Sequence, residues 1–225
     1  MTLGTPRNDP HHTIAGFETD VPNPSWEYAA AYNGANAAGL SVDPARPTQT
    51  LELVGIMPAR AGKRFLLTER QSLLNYGIAT SSTSAGAVRV ERAVTTYQKN
   101  SLGQADTSYL DSETLHQITE ITRRLRYRIT SKYPRHKLAN DGTRFGAGQA
   151  IVTPSVIRGE LLAEYADMEL IGLVENAEMF NKYLIVERDS TNPNRLNVLL
   201  PPDLVNQLRV FAVLHQFRLQ YAANA

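Results

Sequence analysis

The sequence predicts an α+β fold: small mixed and antiparallel sheets packed by two main helices, with an extended C-terminal strand arm. Three observations predict it. Apolar residues recur at three-and-four spacing over about 111–133 and again from Pro154 to Met168, which marks two amphipathic helices. Short stretches of period-two alternation, such as Val88 to Val94 and Tyr183 to Arg188, mark strands lying beside turn-forming residues. A final stretch, Leu208 to Leu219, is apolar on both alternating faces and lies beyond Pro201-Pro202.

The bulk numbers bound the function. The 225 residues suffice for one large domain or two modest ones. Basic and acidic residues nearly balance, 23 against 22, so no global charge draws the chain to nucleic acid or an anionic membrane. The absence of cysteine excludes disulfides, thiolate metal sites and cysteine nucleophiles. No run of 18 apolar residues is present, which excludes a conventional membrane-spanning helix.

In chain order, Pro6, Pro10, Pro22 and Pro24 make the first 25 residues extended and turn-rich, with a short strand at Thr13–Phe17. The Ala-rich stretch Trp26–Ala38 predicts a helix with Ser25 as N-cap and Gly39 as its stop. A loop at 43–47 leads to a strand over Leu51–Val54. Thr68-Glu69-Arg70-Gln71 has capping-box spacing and opens a helix through Tyr76 that ends at Gly77. The polar run 81–86 reads as the turn of a hairpin whose second strand is Val88–Val94.

The long helix, about Asp111–Tyr133, carries Leu115, Ile118, Ile121, Leu125 and Ile129 on one stripe and closes at Pro134. Its exposed face is expected to be basic through Arg123, Arg124 and Arg126, extended by Lys132, Arg135 and Lys137. Glu120 sits four residues before Arg124, a pairing worth about 0.3–0.5 kcal/mol. Residues 141–148 form a loop. Thr153-Pro154 starts the next helix, which buries Ile157, Leu161, Tyr165 and Met168 and ends at Gly172. A hairpin, Tyr183–Arg188 with Arg195–Leu200, follows around residues 190–194. The last segment also fits helical spacing through Leu204, Leu208, Phe211, Leu214 and Phe217, so periodicity leaves strand and helix both open.

No catalytic set emerges. His11 and His12 adjoin in a loop and read as solvated, while His116, His136 and His215 are scattered. Asn140-Asp141-Gly142-Thr143 lacks GxxxxGK[ST] and GxGxxG and is a turn. The chain is therefore expected to be no enzyme and to hold no metal or cofactor. The basic helix has three readings: a solvated face, a grip on an acidic protein surface, or a nucleic-acid-binding module formed by residues 111–133.

Several strings in order along the chain carry a resemblance. They are Arg7-Asn8-Asp9-Pro10-His11, Asp43-Pro44-Ala45-Arg46-Pro47, Gln49-Thr50-Leu51, Tyr109-Leu110-Asp111-Ser112-Glu113-Thr114-Leu115 and Pro134 through Gly142. Val186-Glu187-Arg188 and Pro201 through Phe211 complete the set. Together they resemble the C-terminal half of Mu-like contractile phage tail sheath proteins. The resemblance implies a structural subunit of the virion, assembled in the host bacterial cytoplasm, that stacks as hexameric rings on the tail tube. Such a sheath contracts to drive the tube through the host envelope.

The implied division is 1–82 as the remnant of an outer or middle domain, 83–205 as the inner, tube-facing domain, and 206–225 as the arm. The arm residues Leu208, Val210, Phe211, Val213, Phe217 and Leu219 would add a strand to a neighbouring subunit's sheet. The basic residues named above would face the tube protein. Baseplate and tail terminator are further implied partners, with no nucleic acid and no membrane insertion.

Overall fold

The computed structural model describes residues 3–219. In order, its elements are α1 (Gly4–Arg7), β1 (Ile14–Ala15), α2 (Ser25–Val42), a single 3-10 turn at Ala61–Lys63, α3 (Leu67–Asn75), β2 (Ile78–Ser84), β3 (Ala87–Arg92) and α4 (Ser112–Lys132). Then follow β4 (Lys137–Leu138), β5 (Ile151–Val152), α5 (Pro154–Leu170), β6 (Val174–Glu175), α6 (Ala177–Tyr183), β7 (Ile185–Arg188), β8 (Leu196–Leu199) and β9 (Asp203–Leu204). The α+β expectation holds, and the expected Ala-rich helix, α2, is comparable in length to the two main helices it accompanies.

The sheets are small and mixed. β2 joins β1 in parallel and β3 antiparallel, while β4–β5 is a parallel pair and β6–β9 and β7–β8 are antiparallel pairs. Residues 50–53 extend the first sheet along β3: the amides of Thr50 and Leu53 donate to the carbonyls of Val90 and Val88, and Val90 N–H donates back to Leu51. A register shift between Thr80 and Ser81 leaves carbonyls to be satisfied from elsewhere. The buried Tyr32 hydroxyl of α2 meets them, 3.2 Å from the carbonyls of both Thr80 and Arg92.

Two apolar clusters result. The first packs Tyr28 and Tyr32 of α2 against Ala79, Val88 and Val90 of the three-stranded sheet and Val94 just beyond β3. The second gathers Ile121 and Leu125 of α4, Ile157, Leu161, Tyr165 and Met168 of α5, and Phe180 of α6. Ala45, from the loop after α2, packs into the second cluster and ties the two together. Residues 82 and 83 both lie in β2; Leu110 packs on the first cluster and Ile121 in the second.

Local expectations were met at α5, whose buried residues are the four predicted ones. Its end is a Schellman arrangement: Leu173 N–H donates to Met168 O and Gly172 N–H to Glu169 O. Others need correction. α2 does not stop at Gly39 but runs to Val42. A Cβ at residue 39 would sit 2.7 Å from Leu51 Cδ1, so this glycine serves close packing inside the helix. Its N-cap position is Pro24, not Ser25.

At α3 the reciprocating residue is Glu69, whose carboxylate accepts from Leu66 N–H at 2.7 Å, so the cap lies two residues before Thr68. The polar run 81–86 is mostly strand, with only Ala85 and Gly86 left to turn. Tyr183 ends a helix, α6, that periodicity did not reveal.

Gly77 sits at φ 68°, where a Cβ would lie 2.9 Å from Thr96 Cα. Gly77→Ala is expected to lower stability by about 1–3 kcal/mol in urea denaturation, since both the backbone conformation and a backbone atom oppose the methyl.

Candidate assembly interface

α4 is the axis of the C-terminal half. Its buried stripe runs at four-residue spacing through Glu113, Gln117, Ile121 and Leu125, so its first two positions are polar. Leu115 and Ile118, expected in the core, are only half-buried. The stripe leans toward α2 and the terminal segment at its start and toward α5 further on.

The opening of α4 is a polar node. Glu113 is fully buried. Its Oε1 accepts from Thr48 N–H at 2.9 Å and Thr48 Oγ1 at 2.8 Å, and lies 3.1 Å from Arg209 Nη2. Asp111, just outside the helix, takes a two-point hydrogen bond from Arg92 at 2.8 and 2.9 Å and lies 3.5 Å from Arg209. One turn on, Gln117 Nε2 donates to the carbonyls of Leu173 (2.7 Å) and Val205 (3.2 Å). Among the described residues Arg209 Nε and Nη1 have no acceptor. The clasp is therefore weaker than a fully bonded ion pair.

This node fastens the root of the terminal segment. β9 pairs with β6, and the Tyr165 hydroxyl binds both: it donates to Glu175 O (2.7 Å) and accepts from Asp203 N–H (3.0 Å). From Leu208 onward the apolar side chains are no longer buried. Phe211 is 84% exposed, Phe217 85% and Leu219 97%, with Leu208, Val210, Val213 and Leu214 also exposed. Neither the expected strand nor the helical alternative forms: residues 205–219 carry no helix or strand in the single chain. With apolar side chains facing water on every side, nothing rewards the conformational entropy either element would cost.

The basic helix is rearranged by tertiary contact. Arg124, Arg128 and Lys132, four residues apart, face Glu160, Glu164 and Asp167 of the antiparallel α5. Arg128 lies 2.9 Å from Glu160, 3.3 Å from Glu164 and 3.6 Å from Asp167, Lys132 2.8 Å from Glu160, and Arg124 3.7 Å from Glu164. Tyr133 adds a hydrogen bond to Glu160 at 2.9 Å. The Lys132 ammonium first, then the Arg128 guanidinium, hold the Glu160 carboxyl at about 2, against an ordinary 4.5.

Of the six residues expected on a free basic face, Arg124 and Lys132 are thus engaged within the fold. Arg123 pairs with Glu120 at 2.7 Å, and Lys137 meets the Gln149 amide oxygen at 3.4 Å. Arg126 and Arg135 have no ion partner among the described residues. The outer face of α4 is Thr119, Thr122, Arg123, Arg126, Tyr127 and Thr130, hydroxyl-rich with only two arginines. That is a poor track for a phosphate backbone.

His12 Nδ1 lies 2.6 Å from Asp9 Oδ2, a local contact in an exposed loop. No cluster of three or more metal-ligating side chains occurs among the described residues. Glu113, Gln117, Arg209 and Arg128 are the residues that pattern reading passed over. The available signal was polarity at the start of an otherwise apolar core stripe, since a buried carboxylate requires donors or a cation from elsewhere in the chain.

Comparison with known proteins agrees with this architecture. A family model described as the phage tail sheath protein central domain matches residues 4–96, and one described as the phage tail sheath C-terminal domain matches residues 104–218. The chain is 50% identical over 217 residues to the Mu-like prophage FluMu tail sheath protein of Haemophilus influenzae, covering 96% of this chain and 44% of that protein. It thus spans less than half the length of that relative.

Among solved structures it resembles in fold the sheath tail protein of Desulfitobacterium hafniense, with TM-score 0.51, 11% identity, and coverage of 73% of this chain and 35% of that one. It also resembles a chain in the anti-feeding prophage baseplate, with TM-score 0.56, 9% identity, and coverage of 83% and 49%.

Two outcomes are expected from this geometry. Arg209→Met leaves Glu113 buried without its cation and should cost up to about 3–5 kcal/mol in urea denaturation. Glu113→Gln combined with Arg209→Met should recover part of that loss, a coupling read from the double-mutant cycle. Separately, Glu160 binds its proton more weakly folded than unfolded, so its contribution is complete above pH 4.5 and disappears as pH falls toward 2. Thermal melts across that window should show a steeper acid loss in the native chain than in Glu160→Gln.

Proposed function

The chain belongs to the phage tail sheath family, and we propose that it acts as a structural, non-catalytic subunit that polymerises around a tail tube and contracts to drive the tube through a host envelope. In this reading the subunit resides in the virion tail, is assembled in the host cytoplasm, and packs with neighbouring sheath subunits in hexameric rings. Baseplate and tail terminator meet the ends of the sheath.

The observation that carries the reading is the segment 208–219. It presents seven large apolar side chains to solvent, just past a root held by β9 and Gln117 and on both sides of the clasped Arg209. A lone chain gains nothing from this exposure, whereas a neighbouring subunit's sheet edge offers backbone partners and alternate-face burial for the same residues. Leu208, Val210, Phe211, Val213, Phe217 and Leu219 are then ordered by assembly, and the strand absent from the single chain forms between copies. Contraction draws its free energy from two lattice packings of unequal stability, with no nucleotide required.

The tube-facing role falls to the cations that the fold leaves on the surface, Arg123 among them despite its pair with Glu120. Arg123, Arg126, Arg135 and Lys137 remain outward, while Arg124 and Lys132 contribute indirectly by fixing α4 on α5. Exposed charge pairs are individually weak and salt-screened, which suits a grip that must release on contraction.

Deletion of residues 210–225 tests the arm, because it keeps the Arg209 clasp. The deleted chain is expected to remain a folded monomer with an unchanged melting temperature and to lose polymerisation, scored by electron microscopy and sedimentation. Sheath tubes of normal length from the deleted chain would reject the arm's role.

A further inference from the structure

Between β4 and β5 lie the twelve residues 139–150. From Asn140 to Ala150 every one is exposed. Loops of this length without internal structure are uncommon in folded domains and are usually functional when their ends are fixed. These ends are fixed. Lys137 N–H donates to Ala150 O and Ala139 N–H to Val152 O, each at 2.9 Å. The Arg188 guanidinium of β7 donates to Asn140 Oδ1 at 2.9 Å. Asp141 Oδ1 accepts from Ser155 N–H at 3.1 Å and Ser155 Oγ at 2.5 Å, fastening the loop to the first turn of α5. What stands clear of these ties is the tip, Arg144-Phe145-Gly146-Ala147.

The tip and its base carry charge that the fold leaves uncompensated. Arg144 and Arg135 have no acidic partner among the described residues, and Lys137 meets only the Gln149 amide. Asp141 in the loop is held by Ser155, and Asp189, next to the Arg188 that reaches Asn140, is held by Thr191, Asn192, Asn197 and the Arg195 guanidinium. This contrasts with the body of α4, where Arg124, Arg128 and Lys132 meet Glu120, Glu160 and Glu164. Phe145, 47% exposed, sits beside Arg144 at the tip. An aromatic ring and an arginine side by side on a pre-fixed loop are the residue types that carry most binding energy at protein interfaces.

We propose that loop 139–150 is a docking loop for an acidic protein surface with an apolar hollow. Phe145 enters the hollow, Arg144 meets its carboxylates, and Arg135 and Lys137 supply longer-range attraction. The proposal rests on the reading that this half faces the tail tube, and it moves the main contact from the body of α4 to its C-terminal end. A phosphate backbone fits less well: one ring provides no stacking series, and Asp141 lies among the cations.

The test measures co-sedimentation of the full chain with purified tail tubes, and filter binding to duplex DNA of about 30 base pairs at low salt. Phe145→Ala and Arg144→Glu are each expected to lower tube affinity at least tenfold, with melting temperatures unchanged because both side chains are exposed. Variants that bind tubes as the unsubstituted chain does would overturn the docking loop and leave the tube-facing reading standing. An unsubstituted chain that polymerises yet binds no tube would overturn that reading together with the partner assigned here. Duplex DNA binding that disappears in Arg144→Glu would replace the acidic protein surface with a phosphate backbone.

Discussion

A fully buried carboxylate, Glu113, organises this molecule. It lies in the first turn of α4, where the helix dipole favours negative charge, but burial alone would make it untenable as an anion. Three donors from two distant stretches of chain converge on it: the Thr48 amide and hydroxyl from the loop after α2, and the Arg209 guanidinium from the terminal segment. Asp111 shares Arg209 and also holds Arg92 at the end of β3. The first cluster, the second cluster and the root of the arm are thereby joined at one point. Moving any of them leaves a charge without its partner in a dry site.

That arrangement separates what is rigid from what is free to be exchanged. Up to Arg209 the segment is held by a strand pair, the Gln117 hydrogen bond to Val205 and the charge clasp. Past it, apolar residues meet only solvent. A subunit that must remain connected to neighbours while rearranging benefits from such a division, because load on the arm enters the junction of both clusters through several directional contacts at once. A two-residue strand pair such as β6–β9 would carry little by itself.

Electrostatics inside the fold also decide what remains for partners. The α4–α5 contact uses three cations of α4 against three acids of α5, and the half-buried position of most of these groups makes the ladder less screened than a surface pair. From α4 to the end of the following loop, the outward cations without an acidic partner among the described residues are Arg126, Arg135, Arg144 and Lys137, the last meeting the Gln149 amide. Near-neutral composition thus conceals an uneven surface: most cations of α4 are paired, while Arg126 in the helix and Arg135 and Arg144 beyond its end have no ion partner among the described residues.

Elements whose signal is local were legible from the residues alone. α5 was legible to its last buried residue, because Ile157, Leu161, Tyr165 and Met168 obey helical spacing between a proline start and a glycine stop. The β7–β8 hairpin and the end of α4 at Pro134 were legible for similar reasons, as was the family, through ordered strings that need no fold to be recognised. Tertiary structure alone decided the rest. Gly39 looked like a stop until Leu51 was placed against it. Arg124 and Lys132 looked free until α5 brought its acids alongside. Glu113 and Gln117 looked like surface polarity until Thr48, Leu173, Val205 and Arg209 were folded onto them. The terminal segment, apolar on every face, satisfied strand and helix patterns equally and forms neither in the single chain. The physical reason is common to all four: hydrophobic period and capping act within a few residues, whereas burial and charge pairing depend on groups that meet only after distant parts of the chain have packed.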